Sequence, residues 1–371
     1  MYTLIEQADK KMNVTEPIST HAKMRPNDLA LLTLNERLDW LSFNAKVNAA
    51  MNILTGSGVL RGARVAISIS DQVLHLFFSL GLARIGAAQI SLPPIDPLSM
   101  RASIASKLGI SSVIIERQQD ALQGRPSILV SEEQLNSTPS ELKYTHPSNG
   151  EDVFLLLQSS GTTGKPKFSE LTHEMAFERF DRYKTCFETS ERDIFWPVSR
   201  LDFAMAKQRI YFNLKAGATI CLVSGSPIDK QLLQFLDVSG VTLACGTPNH
   251  MMQILKASNG STSLPKLRAF EASSTIISEN LRRAFKETIT PQLVVTYVTN
   301  EVWLACLASP KILSKVPDTV GFPVIGMSVE VVDPKGKKLK KGQSGEIRIS
   351  GRGIIKKYID DPEATAKSSK G

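Results

Sequence analysis

From residue 40 onward the chain alternates two hydrophobic rhythms, and this alternation constrains its fold more than any other feature. Val47, Ala50, Met51 and Leu54 recur at the spacing of one helix face, as do Val73, Leu76, Phe77 and Leu80. Between and after them stand short apolar runs: Val65-Ala66-Ile67-Ser68-Ile69, Ser112-Val113-Ile114-Ile115, Ser127-Ile128-Leu129-Val130 and Val153-Phe154-Leu155-Leu156-Leu157. Each is bounded by polar or turn residues and reads as a core strand. A second set follows at Thr219–Val223, Val241–Cys245, Leu267–Phe270 and Leu293–Tyr297, each separated from the next by a helical stretch. After about residue 316 the pattern changes to Val329-Glu330-Val331-Val332 and Glu346-Ile347-Arg348-Ile349 around a glycine-containing turn, which predicts antiparallel β. The expected fold class is α/β: two mainly parallel, helix-flanked sheets plus a small antiparallel β-barrel subdomain. The corresponding division is 1–185, 186–315 and 316–371.

Composition narrows the function classes. With 371 residues, 42% hydrophobic and 22% charged, the chain has the balance of a folded globular protein with room for two or three packed subdomains. The net charge of +8 is scattered along the sequence. Its densest run, Lys335, Lys337, Lys338, Lys340 and Lys341, is broken by Gly336 and carries no aromatic for base stacking, so a solvated turn is expected and no nucleic-acid partner. Cys186, Cys221, Cys245 and Cys306 are too dispersed for a zinc or disulfide framework, which suits a reducing cytoplasm. The N-terminus lacks the basic start and apolar core of an export signal. The most apolar stretch, Leu74 to Ala88, contains His75 and Arg84 and is too short to span a bilayer, so it reads as a core helix and no transmembrane segment is expected.

The chemistry concentrates where the apolar strand at 153–157 gives way abruptly to Ser159-Ser160-Gly161-Thr162-Thr163-Gly164-Lys165-Pro166-Lys167. Gly161 and Gly164 permit tight turns that bring backbone N–H groups close to a ligand. The hydroxyls of Ser159, Ser160, Thr162 and Thr163 add donors, and Lys165 and Lys167 add charge. A polyphosphate suits this composition. The loop is not of the Walker type, because Pro166 follows Lys165 where that motif needs a Ser or Thr for magnesium. The bland alternative is a flexible polar loop. Gly56-Ser57-Gly58 and Gly62 precede their strand and lack dinucleotide spacing.

The stretch from Leu156 through Lys167 resembles the phosphate loop of the adenylate-forming superfamily, which includes acyl- and aryl-CoA synthetases, fatty acyl-AMP ligases and peptide-synthetase adenylation domains. Phe168 departs, standing where that family usually has a further glycine. Thr296-Tyr297-Val298-Thr299-Asn300-Glu301 is similar to the family's Tyr-Gly-x-Thr-Glu segment, with Val298 in place of glycine and Asn300 in place of threonine. Phe270-Glu271-Ala272-Ser273 aligns with its small-residue turn beside adenine, and Gly321-Phe322-Pro323, Gly345–Gly351, Tyr358 and Asp361–Thr365 resemble its closing β-subdomain.

The resemblance implies activation of a carboxylic acid by ATP and Mg2+, giving an acyl-adenylate and pyrophosphate, followed by transfer to a thiol. Coenzyme A is the expected acceptor, as in fatty acid metabolism. The alternative is an acyl carrier protein's phosphopantetheine, as in a fatty acyl-AMP ligase or peptide-synthetase adenylation domain. It implies that the loop holds the β- and γ-phosphates, Asn300 the α-phosphate, Glu301 the metal, and Tyr297, with Thr296, Ala272 and Ser273 nearby, the adenine. Taken alone, Glu301 reads as a salt-bridged surface carboxylate and Tyr297 as an amphipathic core tyrosine. His173 is expected to begin a helix in a structural role, and Arg200 to be a surface arginine near the acid pocket. The family's mobile lysine-bearing C-terminal domain has no counterpart in this sequence, so low activity is expected of these residues alone. A rival expectation is a nucleotide-binding module with impaired catalysis.

Overall fold

The computed structural model describes residues 12–141, 149–159, 166–260 and 263–368. Its strands, in chain order, are β1 (Leu29–Leu32), β2 (Arg37–Asp39), β3 (Arg64–Ser68), β4 (Ala88–Ser91), β5 (Ser112–Ile115), β6 (Ser127–Leu129), β7 (Val153–Ser159), β8 (Lys167–Thr172) and β9 (Ile194–Pro197). They continue with β10 (Thr219–Cys221), β11 (Leu243–Gly246), β12 (Ala269–Ala272), β13 (Leu293–Thr299), β14 (Trp303–Ala308), β15 (Phe322–Pro323), β16 (Met327–Val332) and β17 (Glu346–Gly351).

One sheet has the order β6-β5-β3-β4-β7-β8 among the described residues, parallel except for the last pair. Val65, Ala66 and Ile67, Val113 to Ile115, and Phe154 to Leu157 are all buried. Both faces of these strands are covered, which is why they appear in the sequence as unbroken apolar runs. The helix Gln72–Ile85 covers one face and is itself buried on nearly every side. Asp71 caps it by accepting a hydrogen bond from the Leu74 N–H, and Gly86 ends it in the left-handed conformation. It ends at Ile85 because the next apolar residues, from Ala88, start β4.

The second sheet has the order β15-β14-β13-β12-β11-β9-β10-β1-β2. Strands β9 to β13 are parallel to their neighbours, β14 and β15 add an antiparallel edge, and β1 joins β10 in parallel through Leu31 opposite Ile220. The early hairpin β1–β2, residues 29–39, therefore completes the sheet built mostly from residues 194–323. Where a small antiparallel β-barrel was expected after residue 316, the described residues form a two-stranded antiparallel sheet, β16–β17, whose Val329 and Ile349 pack on the cluster of Val302, Ala305 and Cys306. No helix among the described residues is long and apolar enough to cross a membrane.

Gly321, at the start of β15, has φ of +83°, and a Cβ there would lie 1.8 Å from the Leu307 carbonyl oxygen. Gly342 has a similar φ of +91° with nothing within 4 Å of the same position. The pair separates steric overlap from backbone preference. Gly321→Ala is expected to cost roughly 2–4 kcal/mol and Gly342→Ala about 1 kcal/mol, measured by urea denaturation. Equal costs would reject the overlap.

Candidate active site

Strands β7 and β13 come from different sheets, and their carboxyl ends meet. The Asn300 Nδ2 donates to the Gln158 carbonyl oxygen at 2.6 Å, joining the turn after β13 to the last residues of β7. Lys167 lies opposite Ser159 where β7 and β8 pair antiparallel, so both sit at the mouth of the predicted phosphate loop. Ser160, Gly161, Thr162, Thr163, Gly164 and Lys165 lie outside the described residues. A cavity of about 630 Å3 opens here, lined by Ser159, Lys167, Asn300, Glu301 and Tyr358 on one side and by Arg209, Val298 and Trp303 on another.

Two elements position Glu301. Tyr358 donates its hydroxyl proton to Glu301 Oε1 at 2.9 Å, and its ring lies 5.1 Å from the Lys167 ammonium. Burial, then the Glu301 charge, pushes the Tyr358 hydroxyl well above the ordinary tyrosine range, so it stays a donor. From behind, Arg179 of the helix His173–Phe187 donates to the backbone oxygens of Asn300 at 3.1 Å and Glu301 at 2.9 Å, and also to Gly353 O and Gln208 Oε1. Burial and neighbouring Arg182 pull the Arg179 guanidinium down to about 9, still protonated at neutral pH. Arg182 donates to Val302 O at 3.1 Å. These two arginines fix the backbone of the 300–302 turn, and the sequence reading missed both. A signal was available: Arg179 falls on the same helical face as Ala176, Phe180 and Tyr183, all buried.

The other predicted residues fall around this cavity in distinct places. Thr296 is buried in β13 and donates to Glu271 Oε1 at 2.9 Å, behind the lining. Glu271 in turn pairs with Arg209, whose Nε lies 2.6 Å from Glu271 Oε2. Ala272 and Ser273 are buried, Ser273 donating to the Met205 sulfur at 3.0 Å, while the next residue, Ser274, is exposed with φ of +88° and reaches the lining. Tyr297 is half-buried and packs toward β16 and β17 with Met327, Val329 and Ile349, whereas Val298 faces the cavity. Successive side chains of a strand point to opposite faces, which gives this divergence.

Phe168 is buried, and the Lys107 ammonium lies 5.0 Å over its ring. The residue that departs from the expected glycine is thus a core anchor for β8. His173 begins its helix as expected: its Nδ1 accepts from the Val14 N–H at 3.2 Å, its ring stacks on Phe154 at 5.1 Å, and burial pulls its pKa down to about 4. Arg200 is half-buried, donating to Asp202 Oδ2 at 2.7 Å and to Ser70 O at 3.1 Å.

A second cavity of about 730 Å3 adjoins the first, and the two share Gln158, Phe203, Met205 and Asn300 in their linings. The first cavity has a cation-bearing end at β7–β8, and the second mixes apolar walls with Gln89, Ser91, Arg200, Asp202 and Lys207, an arrangement suited to an organic ligand with polar groups.

A family model described as AMP-binding enzyme matches residues 18–359. Zwittermicin A synthase ZmaJ of Bacillus cereus is 23% identical over 363 residues, covering 92% of this chain and 68% of that protein. Malpinin synthetase of Mortierella alpina is 23% identical over 358 residues, covering 93% of this chain, which spans only 5% of that much longer protein. Among solved structures, the O-succinylbenzoate coenzyme A synthetase of Bacillus subtilis in complex with AMP superposes with a TM-score of 0.86 at 16% identity, covering 96% of this chain and 92% of that one. At such identity the superposition speaks for the fold.

Proposed function

This chain belongs to the AMP-binding, adenylate-forming enzyme family, and from that premise we propose that it activates a carboxylic acid with ATP. One observation supports the reading above all: Ser159, Lys167, Asn300 and Glu301, from two sheets, line one cavity. In the proposed reaction a carboxylate oxygen forms a bond to the α-phosphorus while the α–β phosphoanhydride breaks, giving acyl-AMP and pyrophosphate. Negative charge spreads over the phosphoryl oxygens as this happens. Lys167 supplies a positive charge at that end, and the second Asn300 amide proton, not used on Gln158, is a donor for the α-phosphate.

Magnesium fits the residues present. No group of three or more His, Cys, Asp or Glu side chains that could form a metal cage exists among the described residues. A metal here would be held by Glu301, whose Oε1 accepts a hydrogen bond from the Tyr358 hydroxyl, together with phosphate oxygens and water, the usual manner for magnesium. When bound it neutralises phosphate charge. Arg179 and Tyr358 orient Glu301, and Phe168 anchors the strand that follows the loop.

In the second step a thiol sulfur attacks the acyl carbon, forming a thioester and releasing AMP. The proposed acceptor is a pantetheine thiol, carried by coenzyme A or by a carrier protein. ATP–pyrophosphate exchange over a panel of carboxylic acids tests the first step, and product analysis with coenzyme A or a phosphopantetheinylated carrier in separate arms tests the second. An acid that drives exchange well above background is the expected result. Tight ATP binding with no exchange for any acid would replace this reading with that of a nucleotide-binding module.

A further inference from the structure

The second cavity contains a buried cation with only neutral hydrogen-bond partners. Lys207, on the helix Ala204–Ala216, is 3% exposed and lines that cavity. Its ammonium donates to Gln89 Oε1 at 3.2 Å and Ser91 Oγ at 3.0 Å. An ammonium has three protons, and the third has no acceptor among the described residues. Gln89 and Ser91 alternate along β4 and so face the same side of the sheet. Gln89 is fixed further by its Nε2 donating to Ser79 O at 2.8 Å and by the Ser79 hydroxyl, which also meets Tyr211. The cradle around the ammonium is therefore built and rigid.

No carboxylate forms an ion pair with it among the described residues, and the charge of nearby Asp202 only opposes the effect of burial. Asp202 is engaged by Arg200 at 2.7 Å and lies 3.5 Å from His75 Nδ1. His75 is neutral, since burial, Lys207 and Arg200 hold it well below the usual histidine range, and its Nε2 lies 3.4 Å from Ser91 Oγ. Tyr211 is kept protonated by burial. Asp96 is half-exposed on the lining. Burial pulls Lys207 down to about 7, with Asp202 the opposing influence. Lysine is almost never fully buried without a counterion, and a perturbed buried group in a cleft marks a site. Ile90, Leu155, Met100 and Phe203 supply apolar wall between these groups and Asn300.

We infer that the acid taken by this chain carries a second carboxylate, separated from the reacting one by an apolar spacer, and that Lys207 receives it. The inference rests on the proposed function, in which the first carboxylate reacts beside Asn300; Asn300 lines both cavities, so a ligand in the second cavity can present its reacting end there. Gln89 and Ser91 orient the ammonium, and the carboxylate takes its third proton.

Calorimetric titration of the full chain with α,ω-dicarboxylic acids of increasing length, each against its mono-methyl ester, tests this. At pH 6.5 the diacid of matching length is expected to bind at least about tenfold more tightly than its half-ester. That advantage should fall severalfold as pH rises above about 7, towards equal affinity, because free Lys207 loses its proton there while diacid and half-ester keep their charges. In Lys207→Met the diacid should lose its advantage. The ester and pH comparisons use the unaltered chain, so they decide the matter even if the variant fails to fold. Equal affinities, or a pH-independent ratio, would overturn the role of Lys207. Exchange driven equally by mono- and diacids would do so while leaving acid activation intact. Diacid-selective binding without any exchange would keep the Lys207 site and overturn acid activation instead.

Discussion

Replacing Glu301 by glutamine is expected to slow acid-dependent pyrophosphate exchange roughly 100- to 1000-fold while leaving the fold intact. The substitution preserves shape and keeps an oxygen to accept the Tyr358 hydroxyl now bonded to Glu301 Oε1 at 2.9 Å. It leaves the backbone untouched, and the backbone is what Arg179 grips through the Asn300 and Glu301 carbonyls. What it removes is one negative charge, at the end of the cavity assigned to phosphates. If Glu301 holds magnesium, the remaining activity should need more magnesium for saturation. Stability in urea should change by less than about 1 kcal/mol, as befits a half-buried isosteric change. Tyr358→Phe makes the contrast: the carboxylate stays and only its orienting donor goes, so a smaller loss, on the order of tenfold, is expected. Exchange unaffected by Glu301→Gln would remove this residue from the mechanism, and an unfolded variant would show that the carboxylate serves the fold.

The strands that could be read from the sequence were those buried on both faces. Val153–Leu157 is an unbroken apolar run and Val65–Ile69 is interrupted only by Ser68, and both fall in core strands of one mainly parallel sheet. Strand β4, Ala88-Gln89-Ile90-Ser91, was missed because two of its four residues are polar. Those two, Gln89 and Ser91, are the ones that hold Lys207, so the departure from the strand pattern and the candidate site have the same cause. The hairpin at 29–39 was illegible for another reason. Its partner strand begins at Thr219, and no local pattern encodes a pairing over that separation.

The candidate site divides the same way. Ser159, Lys167, Asn300 and Glu301 were legible because each sits in a short segment with a distinctive order of residue types. Arg179 was not, because its contribution is a set of bonds to backbone oxygens 121 and 122 residues away. Tyr297 and Val298 show the limit of residue order as a guide. They are adjacent in the motif, yet the alternation of side chains along β13 turns one toward β16–β17 and the other toward the cavity.

Glu271→Ala is expected to cost about 3–5 kcal/mol, the largest stability effect of any single change considered. Arg209 is 0% exposed and Glu271 2% exposed, and they form a two-pronged pair with Nε to Oε2 at 2.6 Å. Thr296 donates to the same carboxylate, and the Arg209 guanidinium lies 5.1 Å over the Trp303 ring. Burial opposes the charge on Arg209, but Glu271 outweighs it and raises the guanidinium above its ordinary range. Remove Glu271 and the burial penalty is no longer outweighed, with no proton that arginine can shed to escape it. The double variant Arg209→Met, Glu271→Leu removes both charges and keeps apolar volume, so it should recover most of the loss in urea denaturation. A Glu271→Ala cost below about 1 kcal/mol would mean water or rearrangement reaches the guanidinium. The double variant also separates stability from function. Arg209 borders the cavity that holds Asn300 and Glu301. If the pair only supports the cavity wall, the refolded double variant keeps its acid-dependent exchange; if Arg209 meets the substrate or nucleotide, stability returns and exchange does not.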